Sequence, residues 1–472
     1  MKFASDVVIG LEVHFELNTL SKLFCGCATS GSDEPNTRTC PVCLGHPGSR
    51  PVLNKKALDY AIKLCIALEC GLQQELVFSR KSYFYPDMSK NFQITQFDQP
   101  LGKDGKLSLK SGKVINIERI HMEEDPAALV YPKSVTDSDY VFVDYNRAGN
   151  PLVEIVTKPE FTTPAEARDF LNKLITILSY LKIFDPNSCL IKADANVSVR
   201  ESGYTRVEIK NITGFRELER ALSYEITRQR ALLRRGLRVA RETRGWIEVG
   251  KTTTPLRKKE TEDDYGYIVE PDLPIVDITE QLVDILKSEI PELAHQKAER
   301  YVRQYGLDKV DAEVVATELE LAELFERIAG EIDPRLAARW MRRELLRVLN
   351  YNKKSIRDIR MSENHLIELL GLVESRTITD TTAQKLMEKL IECEFSPKEF
   401  VERNGLGQLN DQDRIRDIIV GVLRDNHKAI EDYRHGEEKA FNYLVGQVMR
   451  ATQGKAEPQV THEILKKELA SG

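Results

Sequence analysis

No apolar run in the 472-residue chain is long enough to cross a bilayer, and no leader-like stretch precedes Asp6 and Glu12. These absences predict a cytoplasmic protein with no membrane partner. Positive charge is not in surplus either, with 68 Lys and Arg against 74 Asp and Glu for a net −6. A global field that gathers nucleic acid is thereby excluded, and RNA contacts must come from local patches. No P-loop, dinucleotide fingerprint or serine-nucleophile elbow is expected. Disulfides are not expected of the eight cysteines in a cytosolic chain. The length exceeds what one core supports and predicts two to four domains.

What the chain does have is charge set in rows along strands. Over residues 7–17 a period of two sends Leu11, Val13, Phe15 and Leu17 to one face and Glu12, His14 and Glu16 to the other. Strands are depleted in Glu. Alone, the ionisable row reads more readily as a solvated edge than as a metal or phosphate platform. Recurrence changes the balance. Arg119, His121 and Glu123 alternate with Ile120 and Met122, and Lys192, Asp194 and Asn196 with Ala193, Ala195 and Val197. Arg206, Glu208 and Lys210 alternate with Val207 and Ile209. Such strands build a sheet with an apolar back and a polar face of mixed sign. Strict alternation pairs Glu123 with His121, and Glu124 joins them only if the strand bulges or ends there. Glu154 stands alone in the apolar run 152–156. Burying it unpaired costs several kcal/mol, so it is read as a ligand or a paired group.

Cys25 and Cys27, then Cys40 and Cys43, form two short-spaced thiol pairs twelve residues apart. This is the donor set of a closed tetrahedral zinc site, a structural knuckle over 25–43, with unbound buried cysteines as the alternative. Asn54 is read as a helix N-cap and Gly71 as that helix's stop. Residues 80–100 have the aromatic, amide-rich composition of a binding loop, though alone they read more readily as an ordinary turn followed by a strand, and Asp104-Gly105 marks a hairpin. Thr163-Pro164-Ala165-Glu166 is a capping box with Pro at the first helical position. From 206 to 259, fifteen basic residues face six acidic ones, a local basic patch or a solvated helix face. Asp263 and Asp264 close this mixed region.

Near residue 290 strand patterns give way to helical periodicity. Arg335, Arg339, Arg343 and Arg347 recur every four residues, with Arg342 beside them. The stripe suits a phosphate backbone, or pairing with the acidic helix 318–326. Residues 352–355 read as a linker before a helical tail, in which Gly446 predicts a close helix approach and Lys466 and Lys467 lie near the end. The expected class is α+β. A mixed-sheet cradle with helices and the zinc knuckle (1–290) precedes an all-α domain (291–355) and a small all-α tail (356–472).

Residues 9–14, 80–87, 121–125, 151–156, 194–198, 208–211 and 446–449, with Gly405-Leu406-Gly407-Gln408, closely resemble the B subunits of aspartyl/glutamyl-tRNA amidotransferases over essentially the whole chain. The archaeal E-type protein, specific for Glu-tRNA(Gln), is the near alternative, but its insertion before the helices has no counterpart here. A non-catalytic zinc-containing tRNA scaffold is the other alternative. The resemblance implies ATP-dependent phosphorylation of the side-chain carboxylate of Asp-tRNA(Asn) or Glu-tRNA(Gln). Ammonia then displaces phosphate, delivered by a partner amidase (the A subunit of such enzymes) that a small C subunit holds in place. The resemblance assigns Glu12, His14, Glu124 and Glu154 to Mg2+ or Mn2+, and catalysis to Lys81, Glu124, Glu154 and Asp194. Lys81 and Lys210 fall to ATP, the helical tail with Lys466 and Lys467 to tRNA beside the arginine stripe read above from its spacing, and no site role to 265–269.

Overall fold

The computed structural model describes residues 4–133, 138–185, 189–257, 265–359, 361–407, 412–435, 437–452 and 455–471. Asp263, Asp264 and Gln408 lie outside them. The chain divides into two units, Met1–Pro291 and Glu292–Gly472.

The strands of the first unit are β1 (Val7–Glu16), β2 (Gly71–Leu72), β3 (Glu75–Leu76), β4 (Ser79–Ser82), β5 (Phe92–Thr95) and β6 (Gly102–Ser108). They continue with β7 (Val114–Glu124), β8 (Ala128–Val130), β9 (Phe142–Asp144), β10 (Pro151–Thr157) and β11 (Ile191–Val199). The last are β12 (Val207–Thr213), β13 (Thr243–Ile247), β14 (Thr252–Arg257), β15 (Ile268–Val269) and β16 (Val276–Asp277). Nine of them form one sheet in the order β14-β13-β12-β11-β1-β10-β7-β6-β2. Only β12 and β13 run parallel, so the sheet is mixed, and the fold is α+β as expected. The first strand lies in the middle. Ile9, Leu11, Val13 and Phe15 are all but completely buried, which fixes its register because a one-residue slip would turn them to the other face.

Three long helices accompany the sheet: α1 (Lys55–Ala67), α2 (Pro164–Tyr180) and α3 (Phe215–Arg234). Asn54 caps α1, accepting from the amides of Lys56 and Ala57 at 2.9 and 3.2 Å. Thr163 accepts from Glu166 N at 3.2 Å, and Glu166 in turn accepts from Thr162 N at 2.8 Å. The second half of that box thus reaches one residue beyond the cap. Ala61, Leu64 and Cys65 put the inner face of α1 at 0% exposure.

Two turn expectations are corrected. Glu69, at φ 54°, takes the left-handed position after α1, while Gly71 opens β2. Asp104-Gly105 lies inside β6, and the hairpin turns instead around Gly112, at φ 83°. Gly105 serves close approach: a Cβ there would stand 2.3 Å from Cys70 Sγ and 2.9 Å from Leu68 O.

In the second unit the helices build two cores. One runs from Ala298 to Val401, the other from Ile415 to Leu469. The boundary expected at 355 falls inside the first, because Leu366, Leu369 and Leu370 pack with Leu345 and Val348. Gly446 is exposed and a Cβ there would meet no described residue of another helix within 4 Å, so the expected close helix contact is not made there. Among the described residues no helix is long and apolar enough to cross a membrane.

Candidate metal and substrate site

The polar face of the sheet converges where β1, β10 and β7 lie side by side. Register sets His14 against Glu154 and Glu154 against His121. His14 Nδ1 is 3.1 Å from Glu123 Oε1 and 3.9 Å from Glu154 Oε2, and His121 Nε2 is 3.1 Å from that same Glu154 oxygen. One ligand atom each from His14, Glu123 and Glu154 lies within 4.8 Å of the others. An imidazole with two carboxylates suits a divalent cation that retains open positions, and manganese tolerates the nitrogen better than magnesium does. His121 fixes the Glu154 carboxylate from outside this set, while its own Nδ1 is buried without a partner among the described residues.

Charge within the cluster is strongly coupled. Burial favours neutral imidazole at His14, but Glu154 and Glu123, with Asp194 further off, override it and raise its pKa to about 9. Burial also opposes ionisation of Glu154, yet His121, His14 and Lys81 hold it well below the usual carboxylate range. With a folded value above the ordinary 6.5, His14 contributes stability that is complete below about 6.5 and lost as pH rises through about 9. A bound cation has to displace that proton. Mn2+ affinity is therefore expected to climb about tenfold per pH unit towards about pH 9 and then level off. A flat calorimetric profile over that range would remove His14 from the ligand set.

The structure does not bring Glu124 into this group. It follows Glu123 on β7 and points to the other side, where Oε1 accepts from Ile94 N at 2.8 Å and pairs with Lys90 Nζ. The reason is alternation: β7 stays regular from Arg119 through Glu124, so neighbouring side chains face opposite ways. Glu12 lies beside the triad, opposite Asp194 across β1 and β11, and accepts from Asn196 Nδ2 at 3.0 Å. Asp194 accepts from Lys210 Nζ at 2.8 Å. Burial lowers the Lys210 pKa, but Asp194 and Glu208 more than reverse this. Lys81, on β4, acts on Glu154 and lies 4.7 Å from the centre of the Tyr265 ring.

Sequence reasoning missed the aromatic wall of this site. Tyr267 stacks on Phe97 at 4.0 Å and 6°, within electrostatic reach of Glu154 and Glu123. Burial, then Asp87 and Glu123, push the Tyr83 phenol up. β15 pairs with β4, which brings 265–269 to Lys81. No local pattern announces a two-residue strand, so only the fold places these tyrosines.

Gly245-Trp246-Ile247-Glu248-Val249-Gly250-Lys251-Thr252 has P-loop spacing, contrary to the expectation that none would occur. The structure removes its meaning. The stretch forms the hairpin between β13 and β14, Val249 is 98% exposed, and no helix follows to receive a phosphate.

The four cysteine sulfurs lie within 4.8 Å of one another, which fits a tetrahedral zinc. Cys43 is held well below the ordinary thiol value, first by its hydrogen bond with Cys25, against burial, and by Cys40 N and Lys22. In the second unit Arg335, Arg339, Arg343 and Arg347 are all exposed. Residues four apart drift about 40° around an α-helix, and the wider π turn at Met341–Leu345 takes back part of that drift. Arg347 pairs with Glu344 and Glu388, while the other three have no ion pair among the described residues. In the acidic helix, Glu320 holds Arg357, and Glu326 holds Lys297 and Arg300. Part of the basic patch is also spent internally, since Arg228 and Arg244 bind Glu225 and Glu242. Lys466 and Lys467 are exposed on the last helix.

Comparison with known proteins agrees with this layout. Residues 7–284 match the GatB/GatE catalytic domain and residues 323–469 the GatB domain. A protein of Methanospirillum hungatei JF-1 is 45% identical, covering 98% of each chain. Relatives from Carboxydothermus hydrogenoformans and Thermoanaerobacter sp. (strain X514) are 43% and 42% identical, covering 98% of this chain and 99% of theirs. All three are named as the B subunits of aspartyl/glutamyl-tRNA(Asn/Gln) amidotransferases. At this identity over nearly the full length, the chain belongs to the family of amidotransferase B subunits.

Proposed function

We propose that this protein activates the side-chain carboxylate of Asp-tRNA(Asn) or Glu-tRNA(Gln) with ATP and then amidates it. The observation that carries the reading is the His14, Glu123 and Glu154 cluster with Lys81 beside it. A carboxylate is a poor acyl donor because its leaving group would be oxide. Phosphorylation makes phosphate the leaving group, and that step asks a protein mainly for positioning and positive charge. A divalent cation held by His14, Glu123 and Glu154 would neutralise charge on the phosphates and the attacking carboxylate. Lys81 would offset charge on the transferred group from the other side. Asp194 and Lys210, fixed to each other, would orient substrate beside Glu12. Tyr265 and Tyr267 would wall the cleft and limit water, which would otherwise hydrolyse the acyl phosphate.

No residue of this chain is assigned to glutamine hydrolysis. Ammonia is taken to come from a partner amidase, the A subunit, held by a small C subunit. The exposed arginines 335, 339 and 343, with Arg347, Lys466 and Lys467, would contact tRNA phosphates, which position without specifying. Zinc at the four cysteines would be structural, since a filled thiolate shell leaves no place for substrate.

ATP hydrolysis by the assembled enzyme is expected to depend on misacylated tRNA and to stop when His14 is replaced by Ala. Equal hydrolysis with uncharged tRNA, or full activity of His14→Ala, would refute the reading in favour of a binding scaffold.

A further inference from the structure

Lys22 has 0% exposure. Its ammonium donates to Arg38 O at 2.8 Å and Tyr145 O at 3.2 Å, and lies 3.7 Å from Cys43 Sγ. A buried charge needs a compensating one, and none of these neighbours is a carboxylate. The thiolate cluster supplies the missing charge, because a zinc ion with four thiolates is a dianion. One nitrogen therefore joins the cysteine cluster to the carbonyl of Tyr145, in the loop between β9 and β10.

That loop lies directly upstream of Glu154, and the knuckle grips it at several further points. Asn36 donates to Val143 O and accepts from Tyr145 N at 3.1 and 2.7 Å. Asn146 accepts from Arg38 N and donates to Glu34 O, both at 2.7 Å. Leu23 N donates to Gly149 O at 2.8 Å. At φ 86°, Gly149 turns the chain where a Cβ would stand 3.5 Å from the Lys22 stem. The loop also locks the end of β7, since Gly149 N donates to Asp125 O and Asp125 N to Asn150 O. Asp125 is two residues past Glu123, and Asn150 is four before Glu154.

We propose that Lys22 is a positioning residue through which the filled four-cysteine site sets the 145–150 loop, and with it the approach of Glu123 to Glu154. Emptying the cysteine site removes the ion that pins Cys43 Sγ beside the ammonium, and the Tyr145 contact loosens. The cluster is then more than a local staple. The consequence for metal at Glu123 and Glu154 rests on the proposed function, but the mechanical link does not.

Hydrogen exchange on the full chain separates the two. Stripping zinc from the wild type with a chelator is expected to speed exchange at amides 145–150 about tenfold, with amides 195–198 of β11 unchanged. Lys22→Met should retain one zinc by elemental analysis, show the same fast loop, and show no further change when zinc is stripped. A merely structural lysine would give additive effects. Zinc-independent exchange at 145–150 in the wild type overturns the proposal whether or not the variant folds, as does wild-type protection in zinc-loaded Lys22→Met. In parallel, zinc removal should weaken Mn2+ binding about tenfold. If the zinc-loaded wild type binds no Mn2+, the proposed function fails, while the exchange result still decides the link.

Discussion

Glu154→Gln is expected to lower ATP-dependent amidation by more than about a hundredfold, since loss of even an outer partner of a metal ligand has effects of up to that size. The substitution keeps shape and removes charge. Glu154 Oε2 lies between His14 and His121, at 3.9 and 3.1 Å, and supplies the largest of the interactions that raise His14. Its loss weakens the cation site and the hold on the His121 ring, while His14 keeps Glu123 at 3.1 Å. Glutaminase activity of the partner amidase should remain. Glu124→Gln is the informative contrast: it disturbs Lys90 and Ile94 N rather than the triad, so Mn2+ titration should be near wild type. Amidation by Glu154→Gln at the wild-type rate in saturating Mg2+ would dismiss the acid as a ligand. An equal loss of Mn2+ affinity in Glu124→Gln would dismiss Glu123 as the residue that completes the set.

The contrast between Glu123 and Glu124 shows what the sequence could carry. Alternation along 119–123 pairs Glu123 with His121, and the structure agrees. The family resemblance pointed one residue further, to a side chain that an unbroken strand turns away. Local periodicity also found the buried face of β1, both helix caps and the lone acid in β10. It could not show that β1, β7 and β10 are neighbours, because their pairing joins residues distant in the chain, as when His14 meets Glu154. Nor could it see Tyr265 and Tyr267, brought in by two-residue β15. Lys22 is illegible for the same reason: nothing near it in sequence marks a lysine that the fold buries against Tyr145. Where local rules failed outright, at Asp104-Gly105, packing decided. Gly105 is needed against Cys70, so the chain turns later.

Removing residues 412–472 is expected to raise the dissociation constant for tRNA more than about tenfold, a loss of about 1.4 kcal/mol or more. The shortened chain should stay soluble and keep partner-dependent glutaminase activity. Packing sets the cut. Ile415, Ile419, Leu444, Val448, Ala456, Leu465 and Leu469 form a core of their own, so the unit leaves without opening another. A cut at 355 would instead strip Leu366, Leu369, Leu370 and Leu386 from the first core and expose what they cover. The tail is not a basic arm, since acidic residues at least match basic ones over 356–472. Its contribution is expected to come through shape and a few phosphate contacts, Lys466 and Lys467 among them. Every phosphate partner taken away should flatten the dependence of log affinity on log salt by about 0.7–0.9. Amidation should recover at high tRNA concentration, because the cleft itself is untouched. If removal leaves affinity and salt slope unchanged, the grip lies elsewhere, and Arg335→Glu, Arg339→Glu and Arg343→Glu together should then abolish it.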